Sequence, residues 1–458
     1  MLAGWTWLGG SFAVAAFTAL LLASLLILQR LVPLLPLSLV PARLAWFARH
    51  PFHRFWLWFV YAVQLLLGGG RLQPRTVEAV RRKASELANG LAHYGDDFHE
   101  QALQLLLPAF SAEWRPYGQM FPFPALLAAK LAVADHLREH PEVTATVLRR
   151  PVFLVSLPRT GSTLLHKLLS LDPRARTMRS WELRNPMPPP EAATFRSDPR
   201  VAELRKGTAI MYALHPNMRN IHYVEADDPD ECVNGYMDCS APVYLWGALG
   251  MDEAYKWYTE SSMEPQFRNY RRLLQVLCHK VPAVSHTVLK SPHHAFHMAS
   301  LNRVFPGSTF IWLHRHPRNA VGSCCSMNLE FREYTTAGFE SPKVLGRRTM
   351  LRLADAIRAT ARDRPLIEQA GGTVVDVFYP ELISDPVACV KRIYSTLGLE
   401  WSEQFGDSIR AHVANRSKPS NTKGRHAYTL EQFGLTEEDI AENFHEYLGE
   451  FGDRLKMP

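Results

Sequence analysis

The chain of 458 residues is long enough for two or three structural units, and 47% of it is hydrophobic and 21% charged. This is the composition of an ordinary folded protein that buries a large core. The net charge of +7 suits an anionic ligand or an anionic membrane surface, but the charge is scattered along the chain. Without a basic tail or a nucleic-acid-binding signature, the sequence does not indicate binding to nucleic acid.

The six cysteines have no spacing typical of a metal site. Two of them, Cys324 and Cys325, are adjacent within a segment that has a helical pattern. The sequence therefore predicts reduced thiols and excludes a disulfide framework.

The N-terminal run from Phe12 to Leu28 is apolar and uncharged, and it reaches membrane-spanning length when Trp5 to Gly10 are counted. A cleaved signal peptide would carry Lys or Arg before this run and a small-residue cleavage site after it, and neither is evident. The positive charges follow the run, at Arg30, Arg43, Arg49 and Arg54. We therefore expect a membrane anchor that leaves the large C-terminal part in the cytoplasm.

An aromatic-rich segment follows at residues 55–70, FWLWFVYAVQLLLGGG. It is short for a membrane span, so it either lies at or re-enters the bilayer interface or forms an ordinary buried helix. We expect residues 1–70 to form a membrane anchor and interfacial segment, and 71–148 a helical region. The motifs that carry chemistry all lie in the third predicted unit, residues 149–458.

Residues 151–171, PVFLVSLPRTGSTLLHKLLSL, have the pattern of a buried strand, a sharp loop and the start of a helix. The loop consists of Arg159, Thr160, Gly161, Ser162 and Thr163. A glycine in this position allows a tight turn, and the free amides at the helix start can then bind one phosphate or sulfate group. A Walker A loop would also need a Gly-Lys pair, so a P-loop kinase or ATPase is disfavoured.

The segment from Pro158 to Leu165, PRTGSTLL, resembles the 5′-phosphosulfate loop of sulfotransferases that use 3′-phosphoadenosine 5′-phosphosulfate (PAPS). The resemblance is to the protein-tyrosine and bacterial branch of that family. It implies that Arg159 and the loop residues bind the donor and that Arg159 also takes part in catalysis. The donor-binding residues implied here are Arg159, Thr160, Gly161, Ser162, Thr163 and Leu164.

Two further elements resemble catalytic parts of the same family. Glu182, in the segment Ser180 to Leu183, falls where these enzymes carry the glutamate that deprotonates the acceptor hydroxyl, after a short insertion. Lys290 ends the predicted strand HTVLK and resembles the lysine that contacts the bridging oxygen of the donor. The alternatives are a surface glutamate and a lysine that merely leaves a sheet edge.

The predicted strand from Thr309 to His314 leads into Arg315, and Ser323 follows eight residues later in the next helix. The family's 3′-phosphate site has an arginine and a serine at this spacing. A guanidinium binds two phosphate oxygens while the serine hydroxyl supplies a third bond. The resemblance therefore implies that Arg315 and Ser323 bind the 3′-phosphate.

The last predicted strand, Thr373 to Phe378, ends at Tyr379, which resembles the family's tyrosine beside the adenine. A tyrosine that leaves a sheet can equally belong to the core. A basic segment near the C-terminus contains Lys418, Lys423 and Arg425. Family members often close such a loop over the nucleotide, so Lys423 is a further candidate, but a solvated loop is an equal alternative.

Two segments suggest metal ligands at first sight. The acidic segment Glu225 to Glu231, EADDPDE, does not have the spacing of an EF-hand. A solvated acidic turn at the start of a helix explains it better, with contact to the acceptor as a further alternative. His293, His294 and His297 have no nearby cysteine or fourth ligand. The sequence therefore predicts no metal, and the resemblance implies none either.

Alternating strands and helices predict a three-layer α/β domain with a mainly parallel sheet, and the resemblance implies the P-loop-like sulfotransferase fold, preceded by an N-terminal hydrophobic helical region. We expect a membrane-bound, PAPS-dependent sulfotransferase whose acceptor is a small molecule or lipid with a hydroxyl. Two alternatives stay open: a lumenal carbohydrate or protein-tyrosine sulfotransferase, and a non-enzymatic membrane scaffold with a nucleotide-binding fold.

Overall fold

A computed structural model describes residues 76–95, 98–112, 123–214, 223–236, 250–335, 340–416 and 428–456. Within those ranges, no helix has both the length and the apolar character that a membrane span needs. The predicted anchor and the aromatic-rich segment at 55–70 lie outside the described residues. The anchor, its orientation and the boundary at residue 149 therefore stay predictions.

The centre of the fold is a five-stranded sheet with the strand order β2-β3-β1-β4-β5, in which every pairing is parallel. The strands are β1 Pro151–Ser156, β2 Ala175–Thr177, β3 His286–Lys290, β4 Thr309–His314 and β5 Thr373–Phe378. The prediction of an α/β domain with a parallel sheet is thus confirmed. Only β2 was not predicted, because three residues with an arginine in the middle do not form an apolar run.

Helices cover both faces of the sheet. In chain order they are α1 Val77–Leu87, α2 Phe98–Ala112, α3 Phe123–Glu139, α4 Ser162–Leu169, α5 Ser180–Arg184, α6 Pro199–Leu214, α7 Asp252–Glu260, α8 Glu264–His279, α9 Met298–Val304, α10 Pro317–Thr335, α11 Pro342–Gln369, α12 Tyr379–Ser384, α13 Pro386–Thr396, α14 Glu403–Arg416, α15 Glu437–Asn443 and α16 His445–Phe451. Short 3₁₀ helices span Pro141–Ala145, Cys232–Gly235, Pro292–Phe296, Glu431–Phe433 and Gly452–Leu455.

The alternation of side chains along β1 divides the core into two layers. Val152 and Leu154 pack on one face with residues of α4, α13 and α14. Phe153 and Val155 pack on the other face, in a larger cluster that also contains residues of α1, α3, α8 and α11. A strand that is apolar on both faces is expected for a parallel sheet covered by helices on both sides, and this confirms the layered architecture.

The parallel pairing brings the carboxyl ends of the strands to one rim. Leu154 of β1 pairs with Lys290 of β3, and His314 of β4 pairs with Phe378 of β5. The residues that follow β1, β4 and β5 are the loop of Arg159, then Arg315, then Tyr379. Ligands of open α/β sheets bind at this edge, so the fold places the predicted motifs on a common rim.

Candidate active site

The loop after β1 depends on a left-handed backbone and on close packing. Gly161, the residue before α4, has φ +94°, and a Cβ atom there would lie 2.8 Å from Cδ2 of Tyr379. Any residue other than glycine would therefore strain the backbone and displace the ring. Arg159 has a positive φ of 68° as well, so the turn is tight over three residues. The amides of the first turn of α4 have no acceptor within the helix and can bind an anion.

The remaining residues of the loop differ in what they can offer a ligand. The Thr160 hydroxyl donates to the Leu157 carbonyl at 2.8 Å and is buried, so this side chain holds the turn. Leu164 packs with the core layer of α4 and can reach a ligand only through its backbone. Thr163 is exposed and Ser162 is buried. The loop therefore offers mainly its amides and the Arg159 side chain.

Two arginines and a serine form the centre of the site. Arg159 Nε donates to Ser323 Oγ at 3.0 Å, and Arg315 Nη1 donates to the carbonyl of Arg159 at 2.5 Å. Arg315 Cζ lies 4.4 Å from the centre of the Tyr379 ring. The structure thus brings together Arg159, Arg315, Ser323 and Tyr379, which are far apart in the sequence.

Burial shapes the electrostatics of this cluster. It lowers the pKa of Arg159 from its usual value, and the positive charge of Arg315 acts in the same direction. An arginine keeps its proton near neutral pH despite such a shift, so two positive charges stand side by side. A bound anion would relieve both the repulsion and the loss of solvation.

A network behind Arg315 was not predicted. The ring nitrogens of His314 lie 3.0 Å from the Tyr447 hydroxyl and 3.0 Å from Asp376 Oδ1. Arg364 in turn binds both oxygens of Asp376 at 3.0 Å. Burial lowers the pKa of His314, so a neutral ring links the strand end to α16. No local sequence pattern reveals this network, because its members lie on four separate elements.

Lys290 ends β3, next to the strand that carries the Arg159 loop. Its side chain is only 3% exposed, and its Nζ lies 2.7 Å from Glu231 Oε1. Glu231 closes the acidic segment 225–231, so part of that segment packs at the rim. Two backbone bonds hold it there, from the Asp230 amide to the Met178 carbonyl and from the Ser180 amide to the Asp228 carbonyl, both 3.0 Å long.

Glu182 is not the surface glutamate that the sequence left open as an alternative, because it is enclosed by the protein, and its role as the general base stays a prediction. Its side chain is 0% exposed, and both carboxylate oxygens bind the Arg176 guanidinium, at 2.8 and 2.5 Å. The Arg179 amide also donates to Oε1 at 2.5 Å. Arg176 lies on β2, the strand that was not predicted. Removing one partner of such a buried pair is strongly destabilising, so Glu182 also has a structural role.

The histidines after β3 are packing residues. Burial lowers the pKa of His293 and His297 to about 4 and that of His294 to about 3, so all three are neutral near pH 7. The His294 ring stacks on Phe267 with 6.0 Å between centroids. Across the part of the chain that the structure describes, no three His, Cys, Asp or Glu side chains converge as metal ligands.

The predicted closing loop with Lys418, Lys423 and Arg425 lies outside the described residues. The described chain resumes at Tyr428, whose hydroxyl donates to the Asn319 carbonyl at 3.2 Å. A Cβ atom on Gly322 would lie 2.8 Å from the Tyr428 ring. The chain therefore returns to α10 next to Ser323, and the role of Lys423 stays a prediction.

Comparison with known proteins shows which family the chain belongs to. Residues 151–403 match the Sulfotransferase family, and this is more than half of the chain. The chain belongs to the sulfotransferase family. It is therefore an enzyme that transfers a sulfonyl group, and the matched region contains the Arg159 loop, Lys290, Arg315 and Tyr379.

Four proteins similar to this sulfotransferase come from mycobacteria. The omega-hydroxy-beta-dihydromenaquinone-9 sulfotransferases Stf3 of Mycobacterium bovis and Mycobacterium tuberculosis are 23% identical over 351 residues, 72% of this chain and 84% of theirs. The crystal structure of STF9 from Mycobacterium avium has a TM-score of 0.75 at 25% identity, covering 84% of this chain and 98% of that one. STF1 from Mycobacterium tuberculosis has a TM-score of 0.70 at 26% identity, covering 81% and 98%.

The enclosed position of Glu182 leads to a prediction about stability. Glu182→Ala leaves Arg176 buried without its partner, so we expect a loss of about 3–5 kcal/mol in the free energy of unfolding, measured by urea denaturation. Glu191→Ala is the matched control, because Glu191 and its partner Lys280 are both more than half exposed. That variant should change stability by less than about 0.5 kcal/mol.

Glu182→Gln keeps the shape of the side chain and should lose less stability while retaining sulfonyl transfer. A Glu182→Gln variant with wild-type stability but at least a hundredfold lower turnover would contradict a purely structural role and support Glu182 as the base.

Proposed function

We propose that this enzyme transfers the sulfonyl group of PAPS to a hydroxyl group on a hydrophobic acceptor. The observation that carries the proposal is the convergence of Arg159, Ser323 and Arg315 beside the Gly161 loop. This cluster combines backbone amides, two guanidinium groups and a hydroxyl at the carboxyl rim of a parallel sheet. A nucleotide with phosphate groups at both ends needs such a set of donors.

The residues present fit the donor. Arg315 Nε is buried and has no hydrogen-bond partner among the described residues, and such a donor is costly unless a ligand or its surroundings compensate for it. We assign the 5′-phosphosulfate to Arg159 and the amides of residues 160–164, and the 3′-phosphate to Arg315 and Ser323. Tyr379, which packs on Gly161 and Arg315, would border the nucleotide.

Sulfonyl transfer, like phosphoryl transfer, depends on the positioning of the reactants and on charge stabilisation. The donor and the acceptor must be held in line, and the charge that develops on the leaving phosphate must be stabilised. Arg159 and Lys290 are the cations that fit this role. Lys290 is nearly fully buried, and a charge interaction is stronger there than in water.

A hydrophobic acceptor is supported by two observations. By their names, the Stf3 relatives act on a hydroxylated menaquinone derivative, which is a lipid. The chain itself has apolar segments at 12–28 and 55–70, which we propose bring the catalytic domain to the cytoplasmic face of a membrane. One alternative competes with this assignment.

A lumenal carbohydrate or protein-tyrosine sulfotransferase would differ in membrane topology and acceptor. The alternative of a non-enzymatic scaffold is wrong, because the chain belongs to the sulfotransferase family.

Donor binding can be tested without knowing the acceptor. Adenosine 3′,5′-bisphosphate (PAP), at about 100 times its dissociation constant, should stabilise the detergent-solubilised protein by about 2.7 kcal/mol in thermal unfolding. Arg315→Ala should abolish this shift. Arg318→Ala is the matched control, because this exposed arginine pairs with Glu437 on the surface and should leave the shift unchanged. An equal shift with ATP, or none with the bisphosphate, would contradict the assignment of the donor.

The acceptor class can be tested with radiolabelled PAPS and a set of alcohols. We expect transfer to long-chain isoprenoid alcohols and hydroxylated quinones in detergent micelles at rates at least tenfold above those for soluble sugars. The measurement is label recovered in the product at equal acceptor concentration. A clear preference for sugars or for tyrosine peptides would overturn the hydrophobic acceptor while leaving the assignment of the donor intact.

A further inference from the structure

Glu182 is enclosed at 0% exposure, whereas a second carboxylate, Glu231, lies in contact with Lys290 at the rim of the sheet. We propose that Glu231 is the general base of this enzyme, and that Lys290 holds it as an ion pair until the donor binds. This inference rests on the proposed function, because it assigns a further residue to the same reaction. It differs from the family's usual placement of the base after the first helix of the domain, which is where Glu182 lies.

The position of Glu231 follows from its contact with Lys290. Its Oε1 atom lies 2.7 Å from Lys290 Nζ, and Lys290 is the cation proposed to stand beside the bond that breaks. A carboxylate in contact with that ammonium group is therefore about one hydrogen bond away from the sulfonyl group. A base must come within about 3 Å of the hydroxyl that attacks the sulfur, so Glu231 is within range.

Exposure distinguishes Glu231 from the other carboxylates nearby. The Glu231 side chain is 18% exposed, whereas Glu182 is 0% exposed. Asp230 is 11% exposed, and its Oδ2 atom already accepts hydrogen bonds from Ser180 at 2.6 Å and from Arg184 at 3.3 Å. Of these three acidic side chains, Glu231 is the most exposed to a bound alcohol.

The backbone around Glu231 is rigidly held. Its amide donates to Asp230 Oδ1 at 2.7 Å, and its carbonyl accepts from the Asn234 amide at 2.9 Å as the 3₁₀ helix Cys232–Gly235 begins. At Gly235 a Cβ atom would lie 2.9 Å from the Leu183 side chain, so this helix packs tightly on α5. A base that is fixed in this way loses little conformational entropy when it reaches its reactive position.

The reaction balances with these two side chains. The acceptor O–H proton passes to the Glu231 carboxylate as the acceptor oxygen forms a bond to sulfur. The bond from sulfur to the phosphate oxygen breaks, its electron pair stays on that oxygen, and the Lys290 charge stabilises it. Glu231 then loses the proton to water, so no metal or redox partner is required.

The ion pair between Lys290 and Glu231 explains why donor binding should precede proton transfer. Without donor, the Lys290 ammonium group is paired with the Glu231 carboxylate at 2.7 Å, so an acceptor hydroxyl must compete with Lys290 for it. An anionic donor competes for Lys290, and a carboxylate that shares its cation is more available to the acceptor hydroxyl. Binding of the donor therefore makes the base effective only when there is a sulfonyl group to transfer.

The test compares Glu231→Gln with the wild-type full chain in detergent, using radiolabelled PAPS and geranylgeraniol. We expect a rate about 100- to 10,000-fold lower, with affinity for PAP unchanged or several-fold higher, because Lys290 no longer has a charged competitor. Glu231→Asp keeps the charge and should restore part of the rate. Glu225→Gln, a change in the same acidic segment at a carboxylate paired with Arg205 at 2.6 Å, should match the wild type.

The outcomes separate this inference from the proposed function. Wild-type protein that neither binds PAP nor transfers label would refute the proposed function, and the inference with it. If the wild type transfers label and Glu231→Gln does so at the same rate, only the inference fails. It also fails if Glu231→Gln loses rate and PAP affinity in parallel, since Glu231 would then support the donor site. If geranylgeraniol is not an acceptor, hydrolysis of PAPS by water gives the same comparison.

Discussion

Buried positive charge at the carboxyl rim of the sheet is the constraint on which the site depends. Arg159, Arg315 and Lys290 are all partly or fully buried, and a buried cation is stable only beside a group that compensates for its lost hydration. In this structure the compensation comes from the Ser323 hydroxyl, the Tyr379 ring and the Glu231 carboxylate. Each of these partners can share or release its cation when an anionic ligand arrives, which makes the rim a binding site.

The order of the strands explains why these charges converge. β1 lies between β3 and β4, so the loop after β1 is flanked by the strand ends that carry Lys290 and Arg315. Gly161 lets that loop approach Tyr379 at the end of β5, and His314 ties the end of β4 to α16. The C-terminal helix α16 thus supports the site indirectly, because it holds the strand end that precedes Arg315.

Local patterns in the sequence predict much of this, and long-range pairing accounts for what they miss. The apolar strands, the turn at Gly161 and the spacing between Arg315 and Ser323 are local patterns. In the structure Arg315 and Ser323 both contact Arg159. The salt bridge of Glu182 depends on Arg176, on a strand too short for its pattern to be recognised. The contact of Glu231 with Lys290 joins residues 59 positions apart, and no local pattern reveals it.

The most direct test of this account is a crystal structure of the enzyme with adenosine 3′,5′-bisphosphate bound. We expect the 5′-phosphate at the amides that follow Arg159, the 3′-phosphate between Arg315 and Ser323, and Lys290 turned from Glu231 toward the 5′-phosphate. A nucleotide bound elsewhere, or phosphates that contact neither Arg159 nor Arg315, would contradict the account.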